Sequence, residues 1–314
     1  MRTVALIDHD ACLHHDTGSY HPECADRLRA IHAELERTGL DGKLRWMRPD
    51  PIDLKQLEWV HTREHVRRVE EGCLRGGGPL DGADTVVCDE SFEAARVSAG
   101  GALLAVDAVM RGEANAAFSM TRPPGHHATP ERAMGFCLFN NVALAARHAQ
   151  RSHGLERVAI FDWDVHHGNG TQDAFYADAT VLFASIHQYP LYPGTGSAEE
   201  TGTGAGAGYT LNVPVPAGTG VEAFETVIAE GFAPALEALN PGLLLISAGF
   251  DAHAADPLGG LQLSAADFGQ LTWRLRELAE RVCAGRIVSV LEGGYNLKAL
   301  GPSVAAHLEA LLAE

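Results

Sequence analysis

A short motif near the middle of the chain combines two side chains that commonly bind metal ions. Asp164 and His166 are separated by one residue and are followed by the turn-forming residues 167–170, His-Gly-Asn-Gly. In an extended segment, residues i and i+2 point to the same side, so both side chains can face one ion. A strand end with a surface aspartate and histidine is the alternative interpretation. A second aspartate, Asp251, also follows an apolar run and favours the metal site.

Asp164, His166 and Asp251 would together offer one ion three ligands and no thiolate. Structural zinc sites use four protein ligands, whereas catalytic sites keep one position open. An ion in such a site lowers the pKa of a bound water and polarises a substrate carbonyl. The three residues therefore predict a hydrolytic metal centre with Zn²⁺ as the first choice. Mixed nitrogen and oxygen ligation also suits Fe²⁺ or Co²⁺.

Two adjacent histidines, His126 and His127, follow a Pro-Pro-Gly turn. Hydrolysis of an amide needs a base for the water and an acid for the leaving amine, and histidine titrates near neutral pH and can serve either task. A single histidine is more often structural, but a tandem pair at a strand end favours catalysis. Asp162, two residues before Asp164, can orient one of the rings and set its tautomer.

Tyr295 follows Gly293 and Gly294 near the end of the chain. Its phenol is protonated at neutral pH and can donate a hydrogen bond to a developing oxyanion. A tyrosine packed in a turn is the alternative, but the two glycines permit a close approach of the backbone and favour the catalytic role. Phe136 and Tyr192 are candidates for apolar walls of the site, although aromatic residues also simply fill cores.

The elements that must position these residues alternate between strands and helices, a pattern typical of a mostly parallel α/β sheet covered on both faces. The first strand is expected within residues 1–10. The later strands are predicted at Ala116–Met120, Arg157–Asp162, Val181–Ile186, Gly242–Ser247 and Arg286–Leu291. The helices are predicted at Ser91–Met110, Leu138–Ser152, Val221–Leu239, Ser264–Val282 and Ala299–Leu312. Since parallel strands place their ligand site at their carboxyl ends, the candidate residues should converge on one crevice.

Length and composition favour one large enzyme domain over residues 1–314. The chain is 46% hydrophobic and carries a formal net charge of −17. This charge disfavours binding to nucleic acid, and it is compatible with a cationic partner such as a lysine-rich peptide, or with solubility alone. No apolar run approaches the ~20 residues that cross a bilayer, and no signal peptide is visible. Six scattered cysteines indicate reduced thiols and a cytoplasmic location.

A glycine-rich segment, residues 194–208, is expected to form a mobile loop. A phosphate-binding role is the alternative. The segment lacks a lysine after its glycines and does not open directly into a helix, so this alternative is weak.

Taken together, these segments resemble the histone deacetylase family, in particular its class II branch and bacterial relatives that include acetylpolyamine amidohydrolases. The resemblance rests on six segments that occur in the family's order: RPPGHHA (122–128), GFCLFNN (135–141), DWDVHHGNGTQ (162–172), SAGFDAH (247–253), DPLGG (256–260) and LEGGYN (291–296). It implies the arginase–deacetylase fold, a single-domain three-layer sandwich. In that fold, a mostly parallel sheet of about eight strands lies between helices.

The resemblance also implies roles for particular residues. The Zn²⁺ ligands would be Asp164, His166 and Asp251, with His127 as general base and acid, His126 acting mainly through its charge, and Tyr295 polarising the carbonyl. A structural K⁺ would use Asp162, the backbone of residues 164 and 166, and Ser185. The acyl-lysine tunnel would be lined by residues from several loops, namely Gly135, Phe136, Tyr192, Leu258, Gly293 and Gly294.

Two departures from the family pattern bear on chemistry and substrate. Asn169 stands where some branches carry aspartate, so His127 is expected to lack a carboxylate partner. Leu258 stands where a polyamine-selective branch places an acidic residue, which favours acetyl-lysine peptides over acetylated small amines. A non-catalytic acyl-lysine-binding module is a further alternative. The sequence leaves the physiological substrate, the acyl length and the oligomeric state open.

Overall fold

The computed structural model describes residues 2–314 and contains one large parallel sheet. In chain order the strands are β1 (Val4–Ile7), β2 (Arg45–Met47), β3 (Gly78–Pro79), β4 (Val86–Val87), β5 (Ala116–Ser119), β6 (Val158–Asp162), β7 (Val181–Gln188), β8 (Thr210–Val215), β9 (Leu244–Ala248) and β10 (Ile287–Leu291). Eight of them pair in the order β2-β1-β5-β10-β9-β6-β7-β8, and every pairing in this sheet is parallel. β3 and β4 form a separate antiparallel pair.

Helices cover both faces of the sheet. In chain order they are α1 (Asp26–Thr38), α2 (Leu54–Leu57), α3 (Arg63–Leu74), α4 (Ser91–Met110), α5 (Asn141–His153), α6 (Asn169–Phe175), α7 (Val221–Thr226), α8 (Ala233–Leu239), α9 (Ala265–Val282) and α10 (Leu297–Leu312). One apolar core contains side chains of α1, α9 and α10, and the core on the opposite face contains side chains of α4 and α5.

The strands are buried on both faces, which explains their nearly continuous apolar sequences. In β6, Ala159 and Phe161 pack in one core, whereas Val158 and Ile160 pack in the other. This alternation follows from the two-residue period of a strand. The predicted fold class, a three-layer α/β sandwich with about eight strands, is therefore confirmed, and all eight strands are parallel.

Several element boundaries differ from the sequence-based predictions because of local capping. The helix predicted from Leu138 begins at Asn141, since the Asn140 side chain accepts a hydrogen bond from the backbone N–H of Ala143 at 3.0 Å. The helix predicted from Ala299 begins at Leu297, because Asn296 caps it in the same way.

The helix predicted over Val221–Leu239 is interrupted. Residues 227–232 form a π-helical segment between α7 and α8. Pro234 lies in the first turn of α8 and has no backbone N–H to offer the preceding turn, which accounts for the local change of hydrogen-bond register. β2 and β8, which complete the edges of the sheet, were absent from the predicted strands.

The glycine-rich segment 194–208 has defined contacts with the body of the protein. The backbone N–H of Thr203 donates to the carbonyl of Tyr176 at 2.8 Å, and the side chain of Gln172 donates to Glu200 at 2.6 Å. The segment also contains a short 3₁₀ turn at Gly204–Gly206. The expected loop is therefore present and is anchored to the protein at several points.

The six cysteines are all free thiols, and four of them are buried. Among residues 2–314, no helix is both long enough and apolar enough to cross a membrane.

Candidate active site

Four neighbouring strands bring the candidate residues to one edge of the sheet. β5, β10, β9 and β6 lie side by side, and the loops at their carboxyl ends carry the candidate metal ligands and catalytic residues. The two histidines follow β5, Tyr295 follows β10, Asp251 follows β9, and Asp164 with His166 follows β6. Segments separated by up to 169 positions in sequence, His126 to Tyr295, thus meet because parallel strands end at a common edge.

The three predicted metal ligands form a compact buried cluster. Nδ1 of His166 lies 3.1 Å from Oδ1 of Asp164 and 3.2 Å from Oδ2 of Asp251. Ligand atoms around a tetrahedral ion with bonds of ~2.0–2.1 Å lie ~3.3 Å apart, so this spacing fits a Zn²⁺-sized ion. All three residues are buried. The donor set of two carboxylates and one imidazole suits Zn²⁺, Fe²⁺ or Co²⁺.

Two glycines make room for the carboxylates. A Cβ atom on Gly293 would lie 2.0 Å from Oδ2 of Asp251, and a Cβ atom on Gly249 would lie 2.0 Å from Oδ2 of Asp164. The backbone N–H of Gly293 also donates to Asp164 Oδ2 at 2.9 Å. A residue with a side chain fits at neither position without displacing one of these carboxylates, so both glycines allow the close packing of the cluster.

The adjacent residues His166 and His167 face opposite sides. His166 points to the two aspartates, whereas His167 contacts the hydroxyl of Thr195 at 2.8 Å and the side-chain oxygen of Gln172 at 3.1 Å. His167 therefore ties the glycine-rich segment to the site without reaching the metal cluster.

His126 is paired with the carboxylate predicted to orient it. Its Nδ1 lies 3.0 Å from Oδ2 of Asp162, and its Nε2 lies 3.8 Å from Oδ1 of Asp164. Burial lowers the pKa of His126, but the two aspartates outweigh burial and raise this pKa to about 10. His126 is thus a positively charged group facing the cluster at neutral pH.

His127 has a neutral partner. Its Nδ1 lies 2.8 Å from Oδ1 of Asn169, and the Asn169 amide nitrogen donates to the sulfur of Met134. Because an amide oxygen only accepts, Nδ1 of His127 carries the proton and Nε2 keeps its lone pair. Burial, His126 and His166 hold the pKa of His127 well below its usual value. His127 is therefore uncharged at neutral pH and can accept a proton.

A buried carboxylate that the sequence analysis did not single out fixes the histidine loop. Oε2 of Glu292 accepts the backbone N–H groups of Gly125 at 2.7 Å and His126 at 3.0 Å. Burial raises the pKa of Glu292 to about 7. Glu292 directly follows β10, so this contact links the loop after β5 to the neighbouring strand. No local pattern in the sequence indicates it.

Tyr295 is held by two residues that sequence reasoning missed. Oδ2 of Asp256 accepts the backbone N–H groups of Tyr295 at 2.7 Å and Asn296 at 3.1 Å. The Arg27 guanidinium lies over the tyrosine ring, 4.9 Å from its centroid, and donates to the Gly294 carbonyl at 2.7 Å. Burial holds the pKa of Tyr295 well above its usual value, so its hydroxyl is a permanent hydrogen-bond donor.

A buried network of ion pairs holds Arg27 in place. Glu23 receives a bidentate pair of hydrogen bonds from Arg122, both at 2.6 Å, and one hydrogen bond from Arg27 at 3.2 Å. Burial raises the pKa of Glu23, but Arg122 outweighs burial and lowers this pKa to about 2. Glu23 therefore holds the guanidinium group of Arg27 that contacts Gly294 and Tyr295.

A cavity of about 270 Å³ opens beside His166 of the candidate metal-ligand cluster. Its lining consists of predicted residues together with two that were not predicted, Asp84 and Leu191: Asp84, His127, Gly135, Phe136, His166, Leu191, Tyr192, Leu258 and Tyr295. The rings of Phe136 and Tyr295 lie 5.7 Å apart, edge to face, and Tyr192 packs against His127 with ring centroids 5.1 Å apart. The predicted tunnel residues Gly293 and Gly294 are not part of this lining, because Gly293 packs against the Asp251 and Asp164 carboxylates and Gly294 packs against Leu300 and Phe250.

Backbone geometry brings Phe136 to the cavity. Gly135 and Phe136 both have positive φ, +56° and +70°. A Cβ atom on Gly135 would lie 2.3 Å from the His127 ring, so only glycine permits this approach. Asp84 accepts the backbone N–H of Gly135 at 3.2 Å, and the hydroxyl of Thr85 accepts that of Phe136 at 3.2 Å.

The residues expected to bind a monovalent cation lie together on adjacent strands. Asp162 of β6 and Ser185 of β7 are directly paired in register. Oδ1 of Asp162 accepts the backbone N–H of Asp164 at 3.1 Å, and the Ser185 hydroxyl lies 3.0 Å from Nδ1 of His187. Burial raises the pKa of Asp162 to about 6.

Comparison with known proteins identifies the family. A sequence profile of the histone deacetylase domain matches residues 21–311. The chain belongs to the histone deacetylase family. "Histone deacetylase 14, chloroplastic" of Arabidopsis thaliana is 42% identical to this family member over 97% of the chain and 75% of the relative. The "Histone deacetylase-like amidohydrolase" of Pseudomonas aeruginosa is 40% identical over 94% of the chain and 82% of the relative.

Structural comparison agrees with this assignment. The crystal structure of the HD domain of HDA15 superimposes on this histone deacetylase family chain with a TM-score of 0.95 and 38% sequence identity. The match covers 100% of the chain and 89% of that domain. The relatives are deacetylases and amidohydrolases, which supports a hydrolase that acts on acetylated substrates.

Proposed function

We propose that this protein is a Zn²⁺-dependent amidohydrolase that removes acetyl groups from lysine side chains of proteins or peptides. One observation carries the proposal: the cluster of Asp164, His166 and Asp251 lies next to a narrow cavity with an uncharged histidine and a tyrosine hydroxyl in its wall. This arrangement combines the ligands, the base and the oxyanion donor that amide hydrolysis requires.

The three ligands would hold the metal ion. When bound, Zn²⁺ would lower the pKa of a water and polarise the substrate carbonyl. Fe²⁺ or Co²⁺ would suit the same donors. His126 already carries positive charge close to Asp164, and its pKa will fall when a cation neutralises the aspartates. The Asp162 carboxylate, 3.0 Å from Nδ1 of His126, still favours the imidazolium, so we propose that His126 acts mainly through its charge.

His127 is the proposed general base and acid. Asn169 keeps the proton on Nδ1, so Nε2 is available to take a proton from the attacking water. The low pKa of His127 keeps it unprotonated until water attacks. The proton then passes to the leaving amine, and acetate and a free lysine side chain are the products.

Tyr295 is the proposed oxyanion donor. Its hydroxyl group would donate to the carbonyl oxygen as negative charge develops there. The contacts of Asp256 and Arg27 hold its backbone and its ring, so little reorganisation is needed during the reaction. The methylene groups of the substrate would lie between Phe136 and Tyr192, which are two aromatic members of the cavity wall.

A structural K⁺ is also proposed beside the metal centre. Asp162 supplies a buried carboxylate, and Ser185 lies next to it on β7. Carboxylate, hydroxyl and carbonyl oxygens are the ligands that hard cations prefer. The proposal predicts that K⁺ stabilises the protein against thermal unfolding more than the same concentration of the larger cation Cs⁺.

Acetylated small amines form the second candidate substrate class, because the amidohydrolase relative leaves the substrate type open. Leu258 in the cavity lining gives a polyamine no carboxylate at that position, which favours acetyl-lysine. The absence of nucleic-acid binding and the cytoplasmic location both stay predictions from the sequence.

A substrate panel on metal-replete protein tests the proposed function. Acetyl-lysine peptides, longer acyl-lysine peptides and acetylputrescine are compared by kcat/KM, and the bound metal is measured on the same sample. A higher kcat/KM for acetyl-lysine peptides supports the proposal, and a higher value for acetylputrescine favours the second candidate. Tight peptide binding without acetate release in metal-replete protein would instead indicate a non-catalytic binding module.

A further inference from the structure

A second group of metal-ligating side chains lies away from the active site. Asp107 of α4 and the two histidines His148 and His153 of α5 bring one potential ligand atom each within 4.8 Å of the others. Within residues 2–314, this group and the catalytic cluster are the two sets of three such residues that meet this criterion. We propose that Asp107, His148 and His153 form a second binding site for a divalent transition-metal ion of the Zn²⁺ type.

The three side chains converge on a single carboxylate oxygen. Nε2 of His148 lies 2.7 Å and Nε2 of His153 lies 2.6 Å from Oδ1 of Asp107. Two imidazole nitrogens and one carboxylate oxygen are a common donor set for first-row metals. Donor atoms around an ion with bonds of ~2.0–2.1 Å lie ~3.3 Å apart, so metal entry requires the rings to withdraw by ~0.6 Å.

Surrounding residues hold the donors in orientation. The Ser152 hydroxyl lies 3.1 Å from Nδ1 of His148, and the Trp59 ring stacks on the His148 ring with centroids 6.2 Å apart. Arg111 binds the other carboxylate oxygen, Oδ2 of Asp107, at 3.0 Å. Such contacts from neighbouring groups to the non-ligating atoms of metal ligands are a feature of metal sites.

The site is accessible to an ion from solvent. The side chains of Asp107 and His153 are 19% and 14% exposed, whereas His148 is 9% exposed. The Arg111 side chain is 59% exposed, so its guanidinium can move into water when a cation arrives. The site therefore has a buried ligand at its base, two partly exposed ligands, and coordination positions left for water.

The proposed second site lies near the amino ends of the strands, on the opposite side of the sheet from the catalytic cluster. α5 ends at His153 because Gly154 follows in the left-handed conformation with φ +68°. α4 and α5 lead into the amino ends of β5 and β6, whereas the catalytic cluster lies beyond their carboxyl ends. The two sites are therefore separated by at least the length of β6, whose five residues span ~16 Å at ~3.3 Å per residue. A metal here would join α4 to α5 and would take no part in catalysis.

Zinc titration of metal-free protein tests this second site. Calorimetry should give two equivalents of Zn²⁺ for the wild type, one for His153→Gln, one for Asp251→Asn and none for the double variant. After Zn²⁺ reconstitution, His153→Gln should keep deacetylase activity within about twofold of the wild type, because the catalytic ligands are untouched. His148→Gln serves as a second variant if His153→Gln does not fold.

A matched control separates this site from general histidine binding. His32 is also paired with one carboxylate, Asp8, at 3.0 Å, but among residues 2–314 no third ligand residue joins this pair in a set of three. His32→Ala should still bind two equivalents. A single equivalent in the wild type that is lost in Asp251→Asn but kept in His153→Gln would show that the group is only a hydrogen-bonded contact between helices. Two equivalents in both the His153 and His148 variants would show the same. Because the catalytic site is removed separately by Asp251→Asn, this outcome is independent of the proposed function.

Discussion

Nδ1 of His127 lies 2.8 Å from the side-chain oxygen of Asn169, which binds the ring without supplying a negative charge. The contact fixes the tautomer of the proposed base. Because Asn169 carries no charge, it does not offset the effect of burial and of the neighbouring histidines, which lower the pKa of His127. A carboxylate at this position would stabilise the imidazolium. The identity of residue 169 therefore sets the pH range over which His127 can accept a proton.

Replacement of Asn169 by aspartate should shift the pH dependence of catalysis. The new negative charge raises the pKa of His127, so the unprotonated base is lost at a higher pH than in the wild type. The acidic limb of the pH profile of kcat/KM should move upward by about one pH unit or more. The profile is measured on an acetyl-lysine peptide, with metal content checked at each pH. An unchanged acidic limb in a metal-replete variant would argue against His127 as the base.

Tyr295→Phe should reduce kcat by ~10²-fold or more, because one oxyanion donor is lost. The ring and its contact with Arg27 are retained, so the zinc content and the melting temperature should stay close to those of the wild type. Steady-state kinetics together with metal analysis checks this result. Wild-type turnover by the variant would contradict the proposed role of the hydroxyl.

Gly293→Ala should abolish high-affinity metal binding. The added Cβ would lie 2.0 Å from Oδ2 of Asp251 and 2.7 Å from Oδ2 of Asp164, so at least one ligand must move. Gly42→Ala is the matched control, since a Cβ added there would have no neighbouring atom within 4 Å and its φ is not positive. Zinc affinity of the catalytic site is measured for both variants by competition with a chelator. Equal affinities would show that the glycine does not make room for the ligands.

Glu292→Gln should flatten the pH dependence of stability. The pKa of Glu292 is raised by burial from its ordinary value of 4.5 to about 7 in the folded protein, so the folded state binds the proton more tightly. The free energy of unfolding from this group therefore falls as pH rises from about 4.5 to about 7, and the contribution is fully present only below that range. Denaturant unfolding of zinc-loaded protein at pH 5 and pH 8 measures the difference. A difference as large in the variant as in the wild type would assign the effect to other groups.

Leu258→Glu should shift substrate preference toward acetylated polyamines. Leu258 lines the cavity, and a carboxylate there would attract a second ammonium group that an acetyl-lysine side chain lacks. The ratio of kcat/KM for acetylputrescine to that for an acetyl-lysine peptide should rise by ~10-fold, equivalent to ~1.4 kcal/mol. Leu258→Gln controls for polarity without charge. A similar rise in both variants would exclude a charge effect.

The sequence alone predicted the fold class and the residues that the structure brings together at the candidate site, because both depend on local patterns. Asp164 and His166 have the spacing that points two side chains to one side of an extended segment. The apolar runs before Asp164, Asp251 and Tyr295 identify strand ends, and parallel strands gather their carboxyl ends at one edge. The tandem histidines and the paired glycines before Tyr295 also lie in loops that directly follow predicted strands.

Only the tertiary structure decided which residues support the site. Glu292, Arg27 and Asp256 act on backbone groups of other loops, and nothing in the sequence around them indicates such partners. The same holds for Asp107 with His148 and His153, which are 41 and 46 positions apart in the chain. These contacts depend on how helices and loops pack on the sheet. A local sequence pattern records the direction of a side chain relative to its own strand or helix, but it carries no information about the distant group that packs against it.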